Sequence, residues 1–260
     1  MFKVYKNVEM TKEGYLFGIE AAEASRQCAP GQYFELAMPG DEHRIPVVLT
    51  DILPDRGIIK VVFRPINDTT RAMAVMEDGG EVEGVFGPYG RKAPFLDEEW
   101  EGKQVLVIAE DLAGAQAYMI IHDLKKKGAA VDAVAGGRTK GCLYLSEFTG
   151  ELCRDYLNLS EDGTQGETGT ICGKIDDILA KTDYNMCVVM GSVEIWQVVA
   201  KKTAMKNIPT WISVDSMVTS KDGYRFLDHV MVKGERVEIR EQGTMMKADG
   251  VDFEELKGQL

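Results

Sequence analysis

The hydrophobic pattern of the chain changes near residue 100, and this change limits the possible folds more than any other feature. Before it, runs such as Phe2 to Glu9 and Gly57 to Arg64 recur at roughly ten-residue spacing between turn-forming residues, which predicts an antiparallel barrel or sandwich. After it, apolar strands alternate with amphipathic helices, as in Lys103 to Ala109 followed by Ala113 to Lys127. That alternation predicts a parallel, doubly wound sheet.

Three regions are therefore expected. Residues 1–99 are predicted to form an antiparallel barrel, and residues 100–215 a parallel α/β domain. Residues 216–260 are polar, rich in methionine and interrupted by glycines, and they are predicted to form a separate short segment. Besides Ala113 to Lys127, helices are expected from Thr70 through Met76, near Lys174 to Ala180 and near Val193 to Met205.

Composition excludes several classes of function. The 260 residues carry a formal net charge of −12, which argues against binding to nucleic acid or to anionic membranes. The five cysteines are widely spaced and the three histidines are scattered, so neither a disulfide framework nor a zinc site is expected. No apolar run reaches the roughly 18 residues of a membrane span, and the start of the chain lacks a secretory pattern. We therefore expect a cytoplasmic protein without a membrane partner.

Two motifs of the first region suit an anion. The stretch His43 to Asp51 is typical of a strand, and Arg44 at its start carries a planar fork of donors suited to a diphosphate. Pro46 favours an edge or a bulge because it lacks an N–H group. Thr69 and Thr70 open a predicted helix, whose hydroxyls and free N–H groups also favour an anion. For each residue alone, a surface arginine or an ordinary helix cap is the alternative interpretation.

Taken in order, the motifs resemble those of the ferredoxin–NADP reductase superfamily. The chain is similar to the electron-transfer subunit of dihydroorotate dehydrogenase and, more closely, to the small subunit of NADH-dependent ferredoxin:NADP oxidoreductase, over essentially its whole length. The matching segments are Arg44-Ile45-Pro46, Thr69-Thr70, Phe86-Gly87-Pro88-Tyr89-Gly90, Gly136-Gly137-Arg138-Thr139-Lys140, Glu161-Asp162-Gly163 and Gly191. The resemblance implies a flavin-binding antiparallel barrel, then a parallel doubly wound α/β domain and a short C-terminal segment.

The resemblance also implies bound FAD. It assigns cofactor binding to Arg44, Ile45, Pro46, Val47, Thr69, Thr70, Gly87, Tyr89 and Gly90. In one respect the sequence departs from the family, whose members place a Thr or Ser hydroxyl beside the flavin ring near N5. Here Val47, Val48 and Leu49 occupy that region and Thr50 comes two positions late. We expect the missing hydroxyl to alter the redox tuning of the ring without preventing binding.

The family's pyridine-nucleotide loop departs further. It carries four glycines, which allow positive φ and close approach of the backbone to pyrophosphate. The corresponding stretch, Ala109 to Gln116, retains none of them at the aligned positions and places Glu110 and Asp111 where phosphate would lie. Like charges about 4 Å apart repel by about 4 kcal/mol at an effective dielectric of about 20. We interpret this stretch as an ordinary acidic connection and expect NAD(P)H binding to be lost or strongly weakened.

The family's C-terminal segment binds a [2Fe–2S] cluster through cysteines, and in one member type through an aspartate as well. Counted from Val230 to Gly234, the ligand positions fall on Arg225, Asp228 and Arg240, and no cysteine follows Cys187. Iron–sulfur clusters need thiolate ligands, so we expect none here. The three side chains are predicted to form an ion-pair knot in the vacated volume.

Three functions follow from these expectations. The first is an FAD-binding subunit that relays electrons within a larger oxidoreductase, with a partner subunit as its redox mate. The second is a non-catalytic scaffold or regulatory paralogue that docks such a partner. The third is a simple NAD(P)H:flavin reductase, which would require the acidic loop to rearrange. The sequence leaves open whether the protein is an active enzyme.

Overall fold

The computed structural model describes residues 1–11, 14–41, 43–144, 146–214, 217–220 and 223–259; residues 11, 146–147, 217–220 and 223–226 are described by their backbone alone. Within these ranges most strands lie in two seven-stranded sheets, and the others form two hairpins. None of the described helices is long and apolar enough to cross a bilayer.

The first sheet, called here the antiparallel sheet, is curled and occupies the N-terminal part of the chain. Its strands are β1 (Phe2–Thr11), β2 (Gly14–Glu20), β3 (Tyr33–Ala37), β4 (Arg44–Leu53), β5 (Ile58–Phe63), β6 (Glu81–Val82) and β7 (Gly84–Tyr89). Their order in the sheet is β6-β1-β2-β5-β4-β3-β7, and each neighbouring pair is antiparallel. Two short helices, α1 (Ala22–Gln27) and α2 (Asp68–Ala74), lie in its connections.

The two faces of β3 and β4 differ because successive side chains of a strand point to opposite sides. Phe34 and Leu36 of β3 and Ile45 and Val47 of β4 are fully buried together in the core of the antiparallel sheet. The alternate residues therefore lie on the outer face. Two apolar runs with period two produce this arrangement and fix which side chains remain available for a ligand.

The second sheet, called here the mixed sheet, follows from residue 104 onward. Its strands are β8 (Gln104–Glu110), β9 (Ala130–Gly137), β10 (Asp155–Ser160), β11 (Glu167–Thr168), β12 (Met186–Met190), β13 (Thr210–Ser213) and β18 (Met245–Lys247). They are ordered β11-β10-β9-β8-β12-β13-β18, and all neighbours are parallel except β13 and β18. The helices between them are α3 (Ala113–Lys126), α4 (Ser146–Leu152), α5 (Ile171–Ala180) and α6 (Val193–Ala204).

The strand order of the mixed sheet reverses between β8 and β12. The chain moves outward from β8 through β9 to β10 and then returns to the other side of β8 to form β12 and β13. In open α/β sheets, ligands bind outside the carboxyl ends of the strands at such a reversal. A ligand site in this half of the chain is therefore expected in the crevice between the ends of β8 and β12.

The C-terminal segment is built on both sheets. It comprises β14 (Met217–Ser220), β15 (Gly223–Phe226), β16 (His229–Val232), β17 (Glu235–Glu238), α7 (Ile239–Gln242), β18 and α8 (Phe253–Gln259). Strand β18 pairs with β13, and the Thr244 N–H donates to the Gly31 carbonyl of the antiparallel half at 2.8 Å. The C-terminal segment thus supplies an edge strand of the mixed sheet. The division of the chain at residue 215 stays a prediction.

The structure confirms the expected fold class and corrects several boundaries. The bounds expected for the helix from Thr70 through Met76 are wrong, because the helix runs from Asp68 to Ala74. Its start is set by Asn67, which caps it. The helix expected from Lys174 starts instead at Ile171, since the Thr170 hydroxyl accepts a hydrogen bond from the Gly173 N–H. Local side-chain caps, which the apolar periodicity does not register, set both starting points.

Candidate functional site

Strand β4 presents Arg44 on the outer face of the antiparallel sheet. Its neighbours Ile45 and Val47 are buried in the core, so their side chains cannot reach a ligand and only their backbones remain available. Pro46 and Val48 lie on the same side of the strand as Arg44, but Pro46 is buried and Val48 is half-buried. Val48 pairs with Tyr33 of β3, and both pack against the core of the mixed sheet. The outer face of β4 thus leads from an exposed cation to the junction of the two sheets.

Two arginines meet at one carboxylate beside this face. The Arg44 guanidinium lies over the Phe86 ring, 3.6 Å from its centroid, and its Nη1 is 3.5 Å from Oε2 of Glu35. The Arg240 guanidinium lies over the Tyr89 ring at 4.0 Å, and its Nη1 is 3.2 Å from Oε1 of Glu35. We call these five residues the double-arginine cluster. Each guanidinium is stacked on one aromatic ring and held by one oxygen of the same carboxylate.

The register of the sheet explains how the cluster assembles. Glu35 of β3 lies directly opposite Pro46 of β4 on one side and Phe86 of β7 on the other. Arg44 precedes Pro46 by two residues and therefore shares its face. Arg240 comes from α7, far away in sequence, and no local sequence pattern indicates its position.

The two predicted phosphate-binding threonines have different roles. The Thr70 side chain is fully buried, its hydroxyl accepts from the N–H groups of Ile66 and Asn67, and its own N–H donates to the Asn67 side chain. These bonds form a capping box that leaves Thr70 no free donor for a phosphate. The Thr69 hydroxyl donates to the Asp41 carboxylate, and this hydrogen bond is the main cause of a lowered pKa of Asp41.

The turn after β7 brings the C-terminal segment onto the antiparallel sheet. Gly90 has φ of 77°, its N–H donates to the Arg240 carbonyl at 2.9 Å, and a Cβ added to it would lie 2.2 Å from the Gly243 Cα. Glycine is needed at this position because of that backbone contact. Gly87 precedes a cis bond to Pro88, and Tyr89 packs against Tyr33 with ring centroids 5.4 Å apart. Gly87, Pro88 and Tyr89 thus belong to β7, and Gly90 begins the turn that brings Arg240 beside Tyr89.

Thr50 does not replace the missing flavin hydroxyl. Its side chain is buried, and its hydroxyl donates to the Lys60 carbonyl of β5 at 3.1 Å. This hydrogen bond lies at an irregularity of the β4–β5 pairing between Leu49 and Asp51. The hydroxyl is therefore engaged within the sheet.

The two carboxylates at the end of β8, those of its last residue Glu110 and of the next residue Asp111, point in different directions. Asp111 takes a left-handed conformation with φ of 57° and forms an ion pair with Arg64, just beyond β5 of the antiparallel sheet. Burial lowers the pKa of the Arg64 guanidinium, but the charge and hydrogen bond of Asp111 outweigh it, so the pKa is raised. The expectation that both acids face the nucleotide site is wrong, because Asp111 is bound to Arg64.

Glu110 does face the crevice at the reversal of strand order. This crevice has a volume of about 140 Å³ and is lined by residues that include Gly136, Glu161, Thr170 and Ser192. The Glu110 carboxylate accepts from the Ser192 N–H at 3.1 Å. Burial raises the pKa of Glu110; hydrogen bonding from Ser192 partly offsets this, and the charges of Asp111 and Glu161 add to it.

Gly191 fits closely against Glu110. It follows β12 with φ of 142°, and a Cβ added to it would lie 2.7 Å from the Glu110 Cβ. Because glycine lets the turn after β12 pass this side chain, the glutamate forms part of the crevice wall. The predicted motif glycines Gly136 and Gly137 line the same crevice.

The ion-pair knot expected from Arg225, Asp228 and Arg240 is wrong for the two residues whose side chains are described. Asp228 contacts His229 and lies 3.3 Å from Arg236, whereas Arg240 binds Glu35. The side chain of Arg225 lies outside the described part of the chain. Among the described residues, no group of three or more His, Cys, Asp or Glu side chains could hold a metal ion.

Comparisons with known proteins agree with the fold. No family model matches the chain. It is 24% identical over 258 residues to a protein of Thermotoga maritima named as a homologue of the electron transfer subunit of dihydroorotate dehydrogenase B (NAD(+)), covering 99% of this chain and 90% of that protein. The solved structure of an NADH-dependent reduced ferredoxin–NADP oxidoreductase, from work on flavin-based electron bifurcation, matches with a TM-score of 0.86 and 23% identity, over 100% of this chain and 92% of that one.

A more distant solved structure also matches. The ferredoxin NADP+ reductase of Neisseria gonorrhoeae with bound FAD and NADP has a TM-score of 0.63 and 13% identity, and the match covers 78% of this chain and 89% of that chain. The protein therefore has the fold of the ferredoxin–NADP reductase superfamily, as the motifs predicted. Its named relatives include electron-transfer subunits of the kind that the motifs indicated.

Proposed function

We propose that the protein is an FAD-binding electron-transfer subunit of a larger oxidoreductase. The placement of Arg44 carries the proposal. Its guanidinium stands on the outer face of β4, stacked on Phe86, and the same face continues through Pro46 and Val48 to the junction of the sheets. A cation at one end and apolar surface at the other match a ligand with a diphosphate and an aromatic ring system.

The donors at this face suit FAD. The Arg44 guanidinium already pairs with a carboxylate, so its N–H groups are directed to where an anion can bind. Thr69 is the predicted threonine whose hydroxyl lies outside the cap of α2, whereas Thr70 contributes to the helix itself. In this proposal Arg44 and Thr69 hold the diphosphate, and Tyr89 borders the same site. FAD, when bound, would supply one- and two-electron redox chemistry.

We further propose that NAD(P)H binds weakly or not at all. The crevice where a dinucleotide would lie contains the Glu110 carboxylate, with Glu161 and Glu194 in its lining. A dinucleotide diphosphate placed there would be repelled by these negative charges. Because Arg64 binds Asp111, the repulsion rests on Glu110 rather than on both residues of the loop.

The proposal includes no iron–sulfur cluster. The sequence has no cysteine after Cys187, and of the predicted ligand positions Asp228 and Arg240 are engaged in ion pairs with other side chains. A guanidinium has no lone pair to give to iron. Without a cluster or a pyridine nucleotide, electrons would enter and leave the flavin through a partner subunit, a role supported by relatives named as electron-transfer subunits.

The absorption spectrum of the purified protein tests this function. We expect flavin bands after addition of FAD and removal of the excess, bleaching by dithionite, and no bleaching by NADH under anaerobic conditions. Rapid bleaching by NADH would favour a simple NAD(P)H:flavin reductase. A colourless protein that takes up no FAD would overturn the proposal.

One observation favours the scaffold alternative. Arg44 and Thr69 both already bind carboxylates of the chain, those of Glu35 and Asp41. If these internal contacts are too stable to yield, the fold serves as a docking platform without flavin. The uptake of FAD separates the two functions, because a scaffold of this kind remains colourless at saturating FAD.

A further inference from the structure

We propose that Arg240 is a second diphosphate-binding residue, delivered by the C-terminal segment, and that Glu35 is the internal anion that the diphosphate replaces between Arg240 and Arg44. This inference rests on the proposed FAD site and adds to it two residues that the motifs do not assign. It makes the C-terminal segment part of the flavin site.

The carboxylate of Glu35 acts as a stand-in for an external anion. Its two oxygens are divided between the two guanidiniums, at 3.5 Å from Arg44 and 3.2 Å from Arg240. Arginines bind phosphates as well as carboxylates by placing guanidinium groups against two oxygens of one anionic group. The geometry for a bridging anion therefore exists before a ligand arrives.

The double-arginine cluster has an excess of positive charge and of hydrogen-bond donors. Two guanidiniums share one carboxylate, which leaves one net positive charge. The side chains of Arg44 and Arg240 are 46% and 57% exposed, whereas Glu35 is 17% exposed. Each guanidinium has five donor hydrogens, and one contact to Glu35 leaves others directed to solvent. A ligand can therefore approach from the solvent side.

Both guanidiniums are positioned independently of Glu35. Arg44 is stacked on Phe86 and Arg240 on Tyr89, and cation–π contacts of this kind hold the plane of the group while leaving its edge free. The Arg240 backbone is fixed by the Gly90 N–H. Removing the Glu35 charge should therefore leave both cations in place for a ligand.

A diphosphate fits this site better than a single carboxylate ligand. The negative charge of a diphosphate exceeds the single net positive charge of the double-arginine cluster. Its several oxygens can also reach two guanidiniums at once. Glu35 would then compete with the ligand, since both are anions at the same donors. The competition predicts opposite effects for the removal of Arg240 and of Glu35.

The test is a titration of the full-length protein with FAD, followed by flavin fluorescence, for wild type, Arg240→Met, Glu35→Gln and the control Arg236→Met. Arg236 lies in the same segment, is similarly exposed and pairs with Glu238 and Asp228 instead. We expect Arg240→Met to weaken binding by about tenfold or more, as for loss of a charged hydrogen bond. Glu35→Gln should tighten it about threefold or more, and Arg236→Met should leave it unchanged.

A second titration with riboflavin identifies the moiety that is bound. Riboflavin lacks phosphates, so its affinity should be the same in wild type and Arg240→Met. A misfolded variant can only lose affinity, so tighter FAD binding by Glu35→Gln cannot arise from damage to the fold. If wild type, Arg240→Met and Glu35→Gln all bind FAD with the same affinity, this inference alone is overturned. Wild type and Glu35→Gln that both fail to bind FAD would overturn the proposed function and this inference together.

Discussion

The Asp111 carboxylate forms an ion pair with the Arg64 guanidinium, so the turn that follows the first strand of the mixed sheet is bound to the end of a strand of the antiparallel sheet. In the ferredoxin–NADP reductase superfamily this turn is expected to accommodate a pyridine nucleotide. Here a left-handed aspartate ties it to the other half of the molecule. The contact therefore contributes to stability across the two halves and restrains the loop.

We expect Arg64→Met to lower the free energy of unfolding by about 2–4 kcal/mol, because it leaves the Asp111 carboxylate without its cation. Asp111→Asn should cost less, about 1–2 kcal/mol, since Asn tolerates the left-handed conformation. Urea unfolding of both single variants and the double variant measures the coupling. A coupling energy indistinguishable from zero would show that the ion pair does not join the two halves.

Glu110→Gln should improve NADH binding by about tenfold, because it removes the buried charge that faces the crevice without changing the shape of the side chain. Asp111→Asn is the matched control. Its parent carboxylate is paired with Arg64 and is absent from the crevice lining, so its effect on NADH affinity should be several-fold smaller. Calorimetric titration with NADH measures both. Equal effects of the two substitutions would mean that the two carboxylates both act on the nucleotide site.

The pKa of Glu110 also predicts a pH dependence of stability. A carboxyl group whose pKa is raised on folding binds more protons in the native state than in the unfolded state, so stability falls as pH rises. For Glu110 this loss should begin near its ordinary value of 4.5 and end above the raised pKa of the folded state. Glu110→Gln should remove this loss, so the variant should gain stability over wild type as pH rises from about 4.5 through the raised pKa. Urea unfolding across that range checks the sign; parallel curves for the two proteins would contradict it.

Thr69→Ala and Thr70→Ala should have separable effects. Thr70 belongs to the capping box of α2, so its loss should reduce the free energy of unfolding by about 1–2 kcal/mol. Thr69 lies outside the cap, so Thr69→Ala should change stability little and weaken FAD binding several-fold. Chemical unfolding and FAD titration of the two variants make the comparison. The reverse pattern would show that Thr70 is the ligand-binding residue.

The contacts that the sequence could predict are the local ones. The apolar run around Val47 was sufficient to predict β4, and alternation with helices was sufficient to predict the parallel part of the mixed sheet. The start of α2 was within reach as well, because Asn67 and Thr70 have the spacing of a capping box, but apolar periodicity does not detect such caps. Strand β10 was missed because its polar residues interrupt the apolar pattern.

The non-local contacts were out of reach. Arg240 and Glu35 are 205 residues apart, and backbone contacts such as those of Gly90 with Gly243 and of Gly31 with Thr244 bring them together. The same holds for Arg64 and Asp111, whose pairing depends on how the two sheets meet. Which face of β4 is exposed also depends on its register with β3, since a shift of one residue would have placed Ile45 outside and Arg44 inside.

The most direct test of the account is an equilibrium titration of FAD against wild type, Arg44→Met and the control Arg56→Met. Arg56 is also an arginine that lies over an aromatic ring, that of Tyr5, but it is outside the double-arginine cluster. We expect saturable binding to wild type and Arg56→Met, and binding at least about tenfold weaker to Arg44→Met. No saturable binding to wild type, or equal affinities for all three proteins, would contradict it.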